Sequence, residues 1–140
     1  MDIKMDAAAL NAFLDRVFEQ VADDFVVEKV SSDRLTVRLK VGDKHLRPGG
    51  TVSGPAMFAL ADVAAYLITL ARIGPEALTV TTNCAIDFMR KPAARADLRG
   101  EVRLLKLGKQ LSVSDVLIYS DGMSEPVARA SLTYAIPPRA

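Results

Sequence analysis

Between residues 7 and 24, Leu10, Phe13, Leu14, Val17, Phe18 and Val21 recur at spacings of three and four, the period that lays one apolar stripe along a helix. Asn11, Asp15, Arg16, Glu19 and Gln20 fall on the other side, so the stretch predicts an amphipathic helix with one packed and one wet face. The pattern then changes. Residues 25–30 and 35–41 are rich in β-branched side chains, and Leu35, Val37 and Leu39 alternate with Thr36, Arg38 and Lys40. That period predicts two strands, with Ser31-Ser32-Asp33 as the turn between them. Four more strand-like runs occupy 78–89, 96–107, 110–120 and 125–136. They are parted by Arg90-Lys91-Pro92, Gly108-Lys109 and Asp121-Gly122, all with turn chemistry. Strands without helices between them pair antiparallel through short connections.

Between the second and third strands lies a long run of Ala, Leu, Val, Met and Phe that contains one carboxylate, Asp62. Pro55 suits the first helical position, because its φ is already helical and its missing N–H would have had no partner. The helix should therefore start near Gly54 and run to about Arg72, where Gly74 supplies the stop. No face of it is polar, which predicts protein cover on every side. Its length approaches a membrane span, but a charge at the middle of such a span is strongly disfavoured, so an enclosed core helix is expected. The carboxylate then either caps a buried backbone group, sits at a wet edge, or is there for chemistry. The whole order predicts an α+β domain: a curved antiparallel six-stranded sheet wrapped around one long central helix, with an extra N-terminal helix.

Composition narrows the function. At 140 residues the chain is expected to be a single domain, 1–140, large enough to bury a core without disulfides. The net charge of +1, with acids and bases interspersed, argues against nucleic acid or an anionic membrane as partner. Cys84 is the sole cysteine, and no cleavable export pattern opens the chain, so a cytoplasmic location is expected. Cys84 reads as a small core residue. Strict alternation along 78–89 puts Thr81, Asn83, Ala85 and Asp87 on one face and Thr82, Cys84, Ile86 and Phe88 on the other. The second set looks like core.

The loop before the central helix, His45-Leu46-Arg47-Pro48-Gly49-Gly50-Thr51-Val52-Ser53-Gly54-Pro55, resembles the H-x-N-x-x-G-x-x-H-G-G stretch of the hotdog-fold thioesterases, specifically the phenylacetate-degradation (PaaI-like) acyl-CoA thioesterases. In that family an acid follows the second histidine by nine positions, which here is Asp62. Ile86-Asp87-Phe88-Met89-Arg90-Lys91-Pro92 is similar to the family's I-N-F-L-R-P strand end with one residue more, and Leu105-Lys106-Leu107-Gly108-Lys109 to its turn before the penultimate long strand. The likeness spans nearly the whole chain. Three positions depart from it: Arg47 replaces asparagine, Ser53 replaces histidine, and Pro55 replaces the second glycine. The first two bear on activity, whereas Pro55 serves as a helix starter.

The resemblance implies hydrolysis of an acyl-CoA thioester to free acid and coenzyme A. The Gly54 backbone N–H would receive the developing oxyanion, aided by the helix dipole. Asp62 would be nucleophile or general base, with Ser53, Arg47 and Thr81 completing the catalytic set, Thr81 by orienting water or the carboxylate. Eight helical residues separate Gly54 from Asp62, a rise of about 12 Å. One thioester cannot touch both within one chain, so a homodimer, expected to pair further into a dimer of dimers, must supply them from two subunits. Met57, Phe58 and Tyr66 are candidates for the acyl pocket. Arg90, Lys91, Lys106 and Lys109, with Gly108 and Asn83, are candidates for coenzyme A, and His45 for substrate contact or for holding the loop. No metal and no cofactor beyond the substrate's own coenzyme A is called for. The competing readings are a non-catalytic acyl-CoA or lipid-binding protein of this fold, and a hydratase, which would want a histidine beside the acid.

Overall fold

The computed structural model describes residues 3–138. Helix α1 (Ala7–Val17) and the single turn α2 (Glu19–Ala22) precede strands β1 (Phe25–Val30) and β2 (Arg34–Leu39). The central helix α3 (Gly54–Ile73) follows, then β3 (Val80–Phe88), β4 (Leu98–Leu107), β5 (Leu111–Ser120) and β6 (Ala128–Ala135). The six strands form one antiparallel sheet in the order β1-β2-β4-β5-β6-β3. Its inner face wraps α3, which is the hotdog arrangement that the motif implied.

Helix α3 has the ends that the sequence indicates. Ser53 Oγ accepts from the Ala56 N–H at 3.3 Å, Pro55 sits in the first turn, and Gly74 at φ +97° ends the helix with its N–H on the Leu70 carbonyl. Leu60, Ala61, Ala64, Leu67, Ile68 and Leu70 are fully enclosed. Helix and sheet come close at Gly100, where a Cβ would stand 3.2 Å from Leu60 Cγ. Inside this core Thr69 hydrogen-bonds Ser112 at 2.7 Å and the Ala65 carbonyl at 2.8 Å, which satisfies two hydroxyls that would otherwise be costly to bury. α3 is long and apolar enough to cross a membrane by length and composition, but most of it is buried in the protein.

Within one chain the cover of α3 is incomplete along one line. Pro55 and Phe58 are exposed and Ala59 and Asp62 half-buried; at spacings of three, four and seven they make one stripe along the helix. The chain's own sheet covers this line only in part. The edge strand on that side is β3, which pairs only with β6 and keeps Val80 and Phe88 55% and 52% exposed. At the opposite edge, β1 is capped: Asn11 donates to the Val27 carbonyl and accepts from the Val27 N–H, at 3.1 and 2.8 Å.

Two further expectations change. The first helix does not run unbroken to residue 24, because the backbone leaves helical geometry at Phe18 (φ −130°, ψ 49°) before α2 resumes. In β3 a bulge between Thr81 and Asn83 spoils the simple alternation: Thr81 lies opposite Tyr134, and Cys84 opposite Leu132. Tyr134 and Leu132 are core residues, so Thr81 shares the inner face with Cys84, Ile86 and Phe88. Thr82 is exposed at the bulge, Phe88 is exposed at the strand end, and Cys84 and Ile86 are only half-buried. The set expected to be core is therefore mostly at the rim.

Candidate active site

Asp62 projects from the uncovered stripe of α3. Its Oδ1 accepts two short hydrogen bonds, from Thr81 Oγ1 and from Tyr134 OH, each at 2.6 Å. The Tyr134 hydroxyl is also 2.9 Å from the Asp62 backbone carbonyl, so its single proton is shared between them. Both donors address one oxygen, which fixes the carboxylate plane and leaves Oδ2 without a partner among the described residues. Charge-assisted bonds of this kind are the strong ones. Burial pushes the Tyr134 phenol well above the usual tyrosine range, and the Asp62 charge adds to it. Tyr134 thus stays a donor. Cys84 is also raised, by burial first and by Asp62 second, so it remains a thiol and makes a poor nucleophile.

The cleft in front of Asp62 has a volume of about 400 Å³ and is bounded by Phe18, Val63, Tyr66, Val80, Thr81 and Tyr134. Tyr66, one turn beyond Asp62, is held by its hydroxyl on the Ala77 carbonyl at 3.1 Å. A separate cleft of about 580 Å³ surrounds Gly54, with Arg47, Met57, Phe88, Arg90 and Lys91 among its walls. Among the described residues the two clefts share no lining residue. Gly54 is the first residue of α3 and its N–H has no acceptor among the described residues, as expected for the first turn of a helix. Phe88 covers it, 3.4 Å from where a Cβ would stand. Such an N–H, with the helix dipole behind it, suits a developing oxyanion.

The loop that leads into Gly54 is held by its own hydrogen bonds. Gly49 and Gly50 take φ of +100° and +85°, Arg47 N–H donates to the Thr51 carbonyl, and Ser53 N–H to the His45 carbonyl. His45 is 9% exposed. Its Nδ1 accepts from the Gly42 N–H at 2.9 Å and its Nε2 stands 3.5 Å from Asp24, so the ring holds the loop and lines neither cleft. Ser53 is the cap of α3. Phe58 is exposed on the uncovered stripe and lines neither cleft. Arg90 bonds the Pro126 carbonyl and Glu125, leaving Lys91 and Arg47 as the less committed cations of the Gly54 cleft. Gly108 and Lys109 lie beside Ile73 at the far end of α3, some 30 Å from Gly54 for a helix of this length. Lys106 is exposed on β4 near that end, and Asn83, opposite Thr133, faces away from Asp62.

Tyr134 was not legible as a site residue. In the run Leu132-Thr133-Tyr134-Ala135-Ile136 it occupies an ordinary inward position, and only a hydroxyl that needs a buried partner hinted at more.

The sequence profile of the thioesterase superfamily matches residues 49–127. The chain is similar to a candidate thioesterase from Silicibacter sp. TM1040: 53% identity, 99% of this chain and 96% of the other covered, TM-score 0.92. It is 28% identical over 114 residues to a candidate esterase of Pseudomonas aeruginosa, covering 81% of this chain and 83% of that one. A hypothetical thioesterase from Streptococcus pneumoniae TIGR4, solved with coenzyme A, has the same fold at 21% identity (TM-score 0.76; 94% and 98% covered).

Proposed function

The chain belongs to the thioesterase superfamily, and from that premise we propose that it is an acyl-CoA thioesterase of the PaaI-like kind, working as a homodimer with Asp62 of one subunit facing Gly54 of the other. The observation that carries this reading is the separation of the two half-sites. Each cleft holds one half of what thioester hydrolysis needs, an acid–base group at Asp62 and an oxyanion donor at Gly54. A second copy laid along the β3 edge and the uncovered stripe of α3 would join them. An exposed strand of nine residues with unpaired backbone groups is a template for such pairing.

In the joined site the thioester oxygen accepts from the Gly54 N–H at the start of α3. Asp62 Oδ2 of the facing subunit takes a proton from water as that water adds to the carbonyl carbon. Collapse of the tetrahedral intermediate breaks the C–S bond; the proton passes to the departing sulfur, giving coenzyme A and the free acid. Thr81 and Tyr134 hold the carboxylate through Oδ1 while this happens. The coenzyme A found with the Streptococcus relative supports the choice of thiol. Arg47 and Lys91, in the Gly54 cleft, suit its phosphates.

The test is thiol release over a panel of acyl-CoA esters, with Asp62→Asn as control. The wild type should turn over and the variant should fall by about a hundred-fold or more. Wild type and variant equally inert, yet both binding the esters, would instead mark a binding protein that has lost turnover.

A further inference from the structure

The two half-sites differ in chemistry. The Gly54 cleft carries Arg47, Arg90 and Lys91, whereas among the described residues no cationic side chain lines the Asp62 cleft, where Val17, Phe18, Val63 and Val80 give an apolar wall and the uncharged Gln20 and Thr79 join Asp62 in the polar part. Resting on the reading above, we infer that the acyl group lies in the Asp62 cleft, that the N-terminal helical arm forms its end wall, and that Phe18 sets the length of apolar, uncharged acyl group admitted.

Phe18 reaches the cleft because α1 breaks at that residue. Its ring stands edge-on to Tyr66, with centroids 5.9 Å apart and planes at 80°. Tyr66 in turn lies 6.0 Å from Tyr134, which holds Asp62. A row of three rings therefore leads from the reacting carboxylate to the arm. The arm is anchored ahead of Phe18, before α1 and within it. Asn11 grips Val27 on β1, and the Lys4 and Met5 N–H groups both donate to the Ala71 carbonyl of α3. Those bonds hold it against the cleft as a wall. It also lies outside the residues matched by the superfamily profile, so it is an addition to what the profile covers.

The experiment uses full-length protein and a series of acyl-CoA esters from acetyl to dodecanoyl. For wild type, Phe18→Ala and Phe18→Trp, it measures kcat/KM, and it measures equilibrium binding of the same esters to the Asp62→Asn form of each. Shortening Phe18 should move the preferred acyl group to longer chains, with each newly buried methylene raising kcat/KM and binding by about four-fold. Phe18→Trp should move the preference to shorter ones. An unchanged length profile in both variants overturns the assignment. If none of the proteins releases thiol but the binding profile still shifts with residue 18, the wall stands and the hydrolytic reading falls.

Discussion

Thr81 donates to Asp62 Oδ1 across 2.6 Å from the inner face of the sheet, although strict alternation would send its side chain outward with Asn83. The bulge at Thr82 reverses the parity of β3 at this point. A one-residue insertion flips every side chain on one side of it, and here it delivers a hydroxyl to the carboxylate. The same bulge leaves Thr82 Oγ1 on the Thr133 carbonyl at 3.2 Å, so the extra residue is itself anchored.

Removing either donor should therefore act on turnover more than on substrate binding. Thr81→Val and Tyr134→Phe each leave Oδ1 with one partner instead of two. Hydrogen bonds to charged groups contribute about 1.5–3 kcal/mol, so each variant should lose about ten- to a hundred-fold in kcat with KM little changed. Thr81→Ser, which keeps the hydroxyl, should recover most of the loss. Steady-state kinetics on the best acyl-CoA ester would check this, and an equal loss in Thr81→Ser would show that shape rather than the bond matters.

The raised phenol of Tyr134 has a consequence at alkaline pH. Its folded pKa lies above the unfolded value of about 10. Between these values the unfolded chain has released the proton and the folded protein has kept it. Stability from this group is thus complete below about pH 10 and declines above it, by about 1.4 kcal/mol per pH unit. Tyr66, raised by burial, adds in the same direction. Urea unfolding across this range should show a shallower alkaline decline for Tyr134→Phe than for wild type, even where the variant is less stable at neutral pH.

These two hydroxyls also mark what the sequence could tell. The ends of α3 were legible because Ser53, Pro55 and Gly74 each act locally, and the strands because their turns carry Gly, Pro or Asp. Asp62 stood out as a lone charge in an apolar run. The bulge left no signal, since Thr-Thr-Asn reads as ordinary strand and the choice of face is made by pairing with β6. The break at Phe18 was hidden for a similar reason: Phe18 and Val21 continue the helical period, so the local pattern does not show where the chain bends. The open stripe on α3 could not be located, because apolar residues read the same whether their own chain or a second copy covers them.

At Gly100 a methyl group would stand 3.2 Å from Leu60 Cγ, so Leu60, which is fully buried, would have to give way slightly. Val37 Cγ1, 3.6 Å away, closes the other side. Gly100→Ala should destabilise the fold by about 1–3 kcal/mol through overpacking. Combining it with Leu60→Val should cost less than the sum of the two single changes, because the smaller side chain makes the room that the methyl needs. Denaturant midpoints of the four proteins would measure the coupling, and strict additivity would refute the close contact.

The strongest demand on the composite site is complementation between two dead subunits. Asp62→Asn removes the base but keeps the Gly54 N–H. Gly54→Pro removes that N–H at a position where a first helical residue accepts proline and Ser53 already has extended backbone; because residue 54 also precedes Pro55, the variant's unfolding midpoint is measured beside its activity. Each variant alone should be inactive. In a mixed dimer one site pairs the two lesions, but the other pairs an intact Asp62 with an intact Gly54. Refolding an equal mixture should therefore restore about a quarter of wild-type turnover, half of the dimers being mixed and half of their sites whole. If the mixture stays as inactive as its components although mixed dimers are present, the two groups do not act on one thioester from different subunits. Activity in a separated monomer would refute the arrangement from the other direction, because 12 Å of helix rise, roughly, stands between the two groups in a single chain.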